Sequence, residues 1–242
     1  MGESADPSPP SEGRPPRQVR AGLWLFAPSR DNQGGSAWCY EAPGLDVLVD
    51  VPALTPANLD WLDRRSQERS GWIVLSGRHG HGRCRALQER IGWPVLVQEQ
   101  ESYLLPSVPS LTTFAAEHRL TAELTLHWTP GPSPGSCILH ARGGEAGDGL
   151  FCGRLLVPLA PGRVGPLRRR GTFHWLRQLR SVEHLRRRLP SGSPDWIASG
   201  AGLGALRGEK LVSDGAAQLA AIDLELLKTQ SFQGMSVQDT DL

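Results

Sequence analysis

Residues 45–98 alternate strand and helix signals, and this alternation limits the fold more than any other feature of the chain. "LDVLVDV" (45–51), "WIVLS" (72–76) and "PVLVQ" (94–98) are short apolar β-like runs. Between the first two lies "TPANLDWLDRRSQER", with Thr55 placed to cap a helix and Pro56 at its first position. Between the second two lies "GRCRALQERIG", whose Cys84, Leu87 and Ile91 fall at i, i+3 and i+7, one apolar helical stripe. Such alternation predicts parallel strands with crossover helices. "GLWLFAP" (22–28) and "SAWCYEA" (36–42) precede it, separated by turn residues, and predict an antiparallel meander.

The second half repeats the theme. "ELTLHW" (123–128), "SCILHA" (136–141), "LFCGRLLV" (150–157) and "DWIAS" (195–199) read as strands split by Gly/Pro loops. "TFHWLRQLRSVEHLRRRL" predicts an amphipathic helix with Phe173, Leu176, Leu179, Val182, Leu185 and Leu189 as its apolar stripe. "SDGAAQLAAIDLELLK" predicts one closing helix with Leu219, Ile222 and Leu226 on its face. Two halves of this kind imply a layered α/β (α+β) sandwich with helices outside, spanning residues 21–228. Residues 1–20, rich in Pro, Ser and Gly, read as a disordered tail, and residues 229–242 as a flexible C-terminal tail.

Bulk properties exclude some functions. The chain has 242 residues, enough for one sizeable domain, and a net charge of +1, so no global field points to nucleic acid. No apolar run approaches the roughly 18 residues of a membrane span. The first 20 residues have no apolar stretch of the secretory kind. Cys39, Cys84, Cys137 and Cys152 are far apart, with no C-x-x-C pair, which argues for buried thiols and a cytoplasmic location.

Four loops carry the chemistry: "LSGRHGHG", "HWTPGPSPGSCIL", "GDGLFCGRL" and "DWIASGAG", each next to a predicted strand. Their order and spacing resemble the metallo-β-lactamase superfamily, which includes glyoxalase II. The resemblance covers residues 21–225 and implies a four-layer αββα sandwich. In that family the loops read T-H-x-H-x-D-H, T-P-G-H-S-P-G-S, G-D-x-L-F and P-G-H-G. Their His and Asp side chains hold two metal ions, usually zinc, and a metal-bound water attacks a carbonyl or phosphoryl centre.

The resemblance transfers only in part. The first His position falls on Gly77, the second on His79, the Asp position on His81 and the last His on Gly82. A one-residue deletion would instead make His81 the last His. The second loop has Pro132 at its ligand position and the fourth has Ala201. "GDGLF" places the bridging Asp on Asp148. Gly, Pro and Ala offer no side-chain donor, and a catalytic zinc needs about three protein ligands. The expectation is therefore a degenerate, hydrolase-like member with no resident cofactor, binding a small molecule or a protein. The alternative is a mononuclear hydrolase or oxygenase holding one zinc or iron ion on His79, His81 and Asp148, a two-His, one-carboxylate set.

Three other motifs compete. "GPSPG" (131–135) matches the G-x-S-x-G nucleophile elbow, but the residue after the Ser is Pro134, with no N–H for an oxyanion hole. "GAGLGA" (200–205) fits a dinucleotide fingerprint without the βαβ unit that would confirm it. The basic segment Arg163, Arg168, Arg169, Arg170, Arg177, Arg180, Arg186, Arg187 and Arg188 is opposed only by Glu183. Arg186, Arg187 and Arg188 are its candidate binding residues for an acidic protein or, less favoured, nucleic acid. A solvated helix face is the plainer reading.

Overall fold

The computed structural model describes residues 12–160, 162–201 and 211–229. The chain forms β1 (Arg17–Arg20), β2 (Leu23–Leu25), β3 (Trp38–Ala42), β4 (Leu45–Val49), α1 (Pro56–Glu68), β5 (Gly71–Leu75), α2 (Cys84–Ile91), β6 (Val95–Gln98) and β7 (Leu111–Phe114). These strands make one seven-stranded sheet in sequence order. Its first four strands pair antiparallel, while β4, β5, β6 and β7 pair parallel. The meander and the crossover unit thus lie where the hydrophobic pattern placed them.

The second half forms β8 (Glu117–Arg119), β9 (Leu124–Trp128), β10 (Cys137–Ala141), β11 (Gly149–Phe151), β12 (Val157–Ala160), β13 (Arg163–Gly165), α3 (Trp175–Arg188), β14 (Trp196–Ala198), β15 (Leu211–Ser213), α4 (Gly215–Ala220) and α5 (Leu224–Thr229). Six of these strands build a second sheet in the order β15-β14-β11-β10-β9-β8, and β12 and β13 form a separate ribbon.

Both sheets bury both faces. In β3 and β4, Trp38, Tyr40, Val47 and Val49 point between the sheets, while Cys39 and Leu48 point outward beneath α1 and α2. The period-2 alternation of a strand makes this division. The inter-sheet core centres on Phe151, whose ring lies 5.3 Å from Trp196 and 5.8 Å from Tyr40 in edge-on contacts. On the far side, Ile138, Leu150 and Ile197 pack against Leu179, Val182 and Leu185 of α3. The result is helix, sheet, sheet, helix: the αββα sandwich.

Three sequence expectations are corrected. Arg17–Arg20, expected to lie within a disordered stretch, instead pairs with β2, and Val19 packs on the core. Residues 1–11 and 230–242 lie outside the described residues. Helix α3 starts at Trp175, so its buried face is Trp175, Leu179, Val182 and Leu185, whereas Phe173 is 51% and Leu176 45% exposed. The closing helix is two helices, because the Asp223 carboxylate accepts a hydrogen bond from the Leu226 backbone N–H at 2.8 Å and caps a fresh start.

Candidate functional site

Strand direction brings four loops to one end of the sandwich. Strands β4 and β5 are parallel, so Asp50 and Ser76 leave the first sheet side by side. In the second sheet β10 begins at this end, just after Ser136, with the Cys137 N–H donating to the Ser76 carbonyl. Strand β11 runs antiparallel to β10 and parallel to β14, so it reaches this end at Gly153, beside Gly200. The Gly200 N–H donates to the Gly153 carbonyl at 2.9 Å.

Asp50 sits at the centre. It is 4% exposed and has φ of 62°, the left-handed region an Asp tolerates better than most residues. Its carboxylate accepts from the Ser76 N–H at 2.8 Å and the Ser76 hydroxyl at 2.7 Å. Burial raises its pKa to about 6, against the lowering effect of those two bonds and of Arg154. Gly80 lies directly over it: a Cβ there would stand 1.9 Å from Asp50 Oδ1. The glycines of "SGRHGHG" therefore have a packing reason. The chain can fold over a buried carboxylate only where side chains are missing.

The rest of this end is tightly filled. Ser133 and Ser136 hydroxyls are 2.7 Å apart, and a Cβ on Gly77 would meet both at 3.1 Å. A Cβ on Gly153 would be 2.6 Å from Ser76 Oγ. What is left at the convergence of the four loops is a void of about 10 Å³, lined by Asp50, Ser76, His79, Ser136, Arg154 and Gly200 among others. That is about the size of one water.

His79 and Arg154 join this void to a larger cleft of about 610 Å³, whose walls include Pro132, Val157, Leu167, Arg168, Arg169, Arg170, Gln178 and Ala201. Arg154 Nη2 donates to the Asn32 carbonyl at 2.8 Å and the Gln33 carbonyl at 3.2 Å, which fixes the guanidinium. His79 is pushed down to about 4, first by burial and then by Arg154, so it is neutral at pH 7.

The expected metal residues part company here. His79 faces the void. His81 turns toward buried Glu101, 3.7 Å from its carboxylate, and burial lowers its pKa. Asp148 stands at the opposite end of the second sheet, at the start of β11, where its carboxylate meets His140 Nε2 at 2.7 Å. Strand β10 alone, five residues long, puts roughly 13 Å between the two ends. Among the described residues, no three His, Cys, Asp or Glu side chains converge as a metal set. The G-D-x-L-F pattern has a second placement, Gly153–Val157, and this stretch is the one that reaches the four-loop end. There the second residue of the pattern is Arg154. Sequence matching missed it because "GDGLF" is the better literal match, whereas strand direction selects "GRLLV". Arginine repels metal cations, so this donor set does not fit a dinuclear zinc centre.

Solved structures of similar architecture include metallo-β-lactamases. The B3 metallo-β-lactamase BLEG-1 superposes with a TM-score of 0.57 at 19% identity, over 80% of this chain and 95% of that one. VMB-1 gives a TM-score of 0.63 at 9% identity, over 87% and 94%. The fold is that of the metallo-β-lactamases. An archaeal metallo-β-lactamase superfamily protein, ST1585 from Sulfolobus tokodaii, aligns with a TM-score of 0.57 at 16% identity, over 91% of each chain. No family model and no curated protein matched the sequence. The metallo-β-lactamase fold here also accounts for the competing motifs. Ser133 of "GPSPG" is 1% exposed inside a loop between two strands, not on a strand-to-helix elbow. "GAGLGA" begins at the fourth loop, and residues 202–210 lie outside the described residues.

The C-terminal arginines of α3 have intramolecular partners. Arg186 donates to the Ile222 and Ala220 carbonyls, Arg187 pairs with Glu183 at 3.1 Å, and Arg188 pairs with Glu117 at 2.7 Å. All four cysteines are buried and unpaired. Among the described residues, no helix is long and apolar enough to cross a membrane.

Proposed function

We propose that this metallo-β-lactamase-fold protein is a ligand-binding member that works without the two-metal hydrolase centre, taking a small molecule in the cleft above the four loops. One observation carries the reading: the Arg154 guanidinium stands where the loops converge, fixed by two backbone carbonyls and facing the cleft. A cation held there opposes metal ions and favours anions. The donor-free residues Gly77, Gly82, Pro132 and Ala201 point the same way. The cleft volume falls in the range of small-molecule sites, roughly 300–1,000 Å³.

This reading carries no resident zinc or iron. The protein-interaction reading through Arg186, Arg187 and Arg188 has less support, because Arg186 and Arg188 already bridge elements of the fold and Arg187 pairs with Glu183 on its own helix. Elemental analysis of purified protein tests the proposal. Well under one equivalent of zinc or iron, with a melting temperature unchanged by a chelator, is the expected result. One or two equivalents that survive gel filtration, with a chelator-induced drop in melting temperature, would overturn it.

A further inference from the structure

The cleft has a charge pattern that narrows its occupant. Arg154, Arg168, Arg169 and Arg170 all line it, and among the described residues no Asp or Glu does. Arg154 and Arg169 are close enough for their charges to act on each other, and burial disfavours the charge on both. Neither makes a salt bridge among the described residues. The carboxylate nearest Arg154 in effect is Asp50, whose two oxygens each accept a hydrogen bond from Ser76. Two partly desolvated guanidinium groups facing one cavity call for a multiply charged anion.

The backbone holds these groups ready. The turn carrying Arg169 is closed by Thr172, whose hydroxyl accepts from the Arg169 N–H at 2.9 Å and whose N–H donates to the Arg169 carbonyl at 3.0 Å. A carboxylate carries one negative charge and lies in a plane. A phosphoryl group carries about −1.5 to −2 at pH 7 and has three acceptor oxygens, enough for two guanidinium forks at once. The cleft is much larger than a phosphate ion, and Pro132, Val157 and Leu167 make part of its wall apolar.

We propose that this cleft binds a small organic phosphate, its phosphoryl group held between Arg154 and Arg169 beside His79, and its organic part against Val157 and Leu167. The proposal rests on the ligand-binding reading above.

Calorimetry on the full chain tests it, with phenyl phosphate, inorganic phosphate, benzoate and citrate as probes. Phenyl phosphate is expected to bind about tenfold more tightly than either inorganic phosphate or benzoate, a difference of about 1.4 kcal/mol. Arg154→Ala and Arg169→Ala should each weaken it about tenfold or more, and Arg154→Lys should recover only part of the loss, because lysine lacks the planar fork. Arg187→Ala should leave it unchanged. If Arg154→Ala fails to fold, Arg169→Ala on its surface turn decides alone. Equal binding of benzoate or citrate would overturn the phosphate assignment and leave the ligand-binding reading standing. No binding of phenyl phosphate to the metal-free protein would overturn the assignment, with elemental analysis judging the broader reading separately. Binding of a single-stranded oligonucleotide unaffected by a terminal phosphate or by Arg169→Ala would also overturn it, since the charges would then track a polymer backbone.

Discussion

The two ends of the sandwich each offer a histidine, an acid and a serine, yet only at one end do they open into a cleft. At the far end His140 Nε2 meets both Asp148, at 2.7 Å, and Ser193, at 3.0 Å. Both partners use the same ring nitrogen, so no relay can pass through the imidazole as it does when the acid and the hydroxyl take opposite nitrogens. That cluster ties β10 and β11 to the loop before β14. At the four-loop end, Asp50, Ser76, His79 and Arg154 line a void that opens into a cleft. The difference is one of access and convergence, not of residue types. It teaches that a literal motif such as "GDGLF" has meaning only once strand direction says which end it occupies.

The two ends share one core, and that core offers the largest effect. Phe151→Ala, which removes the ring between Trp38, Tyr40 and Trp196, should cost about 3–5 kcal/mol in urea unfolding. Both ends should loosen together; hydrogen exchange that stayed protected at one end would show that they are independent.

Gly80→Ala separates them. Its methyl would collide with the Asp50 carboxylate, at a cost on the order of 1–3 kcal/mol. The loss should appear as altered ligand binding in the cleft, with the His140 end untouched. Asp148→Asn is the converse. It should cost about 1 kcal/mol of stability and leave cleft binding and metal content as they are. A change in either would bring Asp148 back into the site.

Titration sharpens the contrast further. Asp50 is raised to about 6 in the folded protein from an ordinary value of 3.8. Between these values the folded state binds the extra proton, so the Asp50 contribution to stability falls as pH rises from about 4 through 6. His79 acts with the opposite sign. Its pKa is lowered to about 4 from 6.5, so the unfolded state binds the extra proton and stability rises with pH over that window. The two effects oppose each other in the wild type. Asp50→Asn should therefore show stability that climbs more steeply from pH 4 to 6.5 than the wild type does. Parallel stability curves for the two proteins would contradict this. The smallest effect belongs to Arg187→Ala, where loss of an exposed pair with Glu183 should change stability by less than about 0.5 kcal/mol.

Much of the architecture was legible in the chain. Alternating residues such as Trp38/Cys39/Tyr40 and Val47/Leu48/Val49 are apolar on both faces, which a strand tolerates only between two covering layers. The cap at Thr55 marked the start of α1. The short strands β7, β8 and β13 were not legible, since their three or four residues mix polar and apolar side chains with no longer apolar run around them. Within the site, His79 and the donor-free positions could be read directly. The role of Arg154 could not, nor could that of Asp50, because nothing in "LVDVPA" distinguishes a buried carboxylate from a turn residue.

The sequence by itself determined the layers, because hydrophobic periodicity is a local property that each strand and helix carries along its own length. It also shows Gly77, Gly82, Pro132 and Ala201, residues with no side-chain donor, where the resemblance led one to expect ligands. Only the tertiary structure decided which polar groups meet. Convergence depends on strand direction and on contacts more than a hundred residues apart, such as Arg154 on the Asn32 carbonyl. Those are set by how two sheets stack, and no local pattern records them. Thus "HGH" marked a loop correctly, while the sandwich sent His79 to the cleft, His81 toward Glu101 and Asp148 to the other end of the sheet.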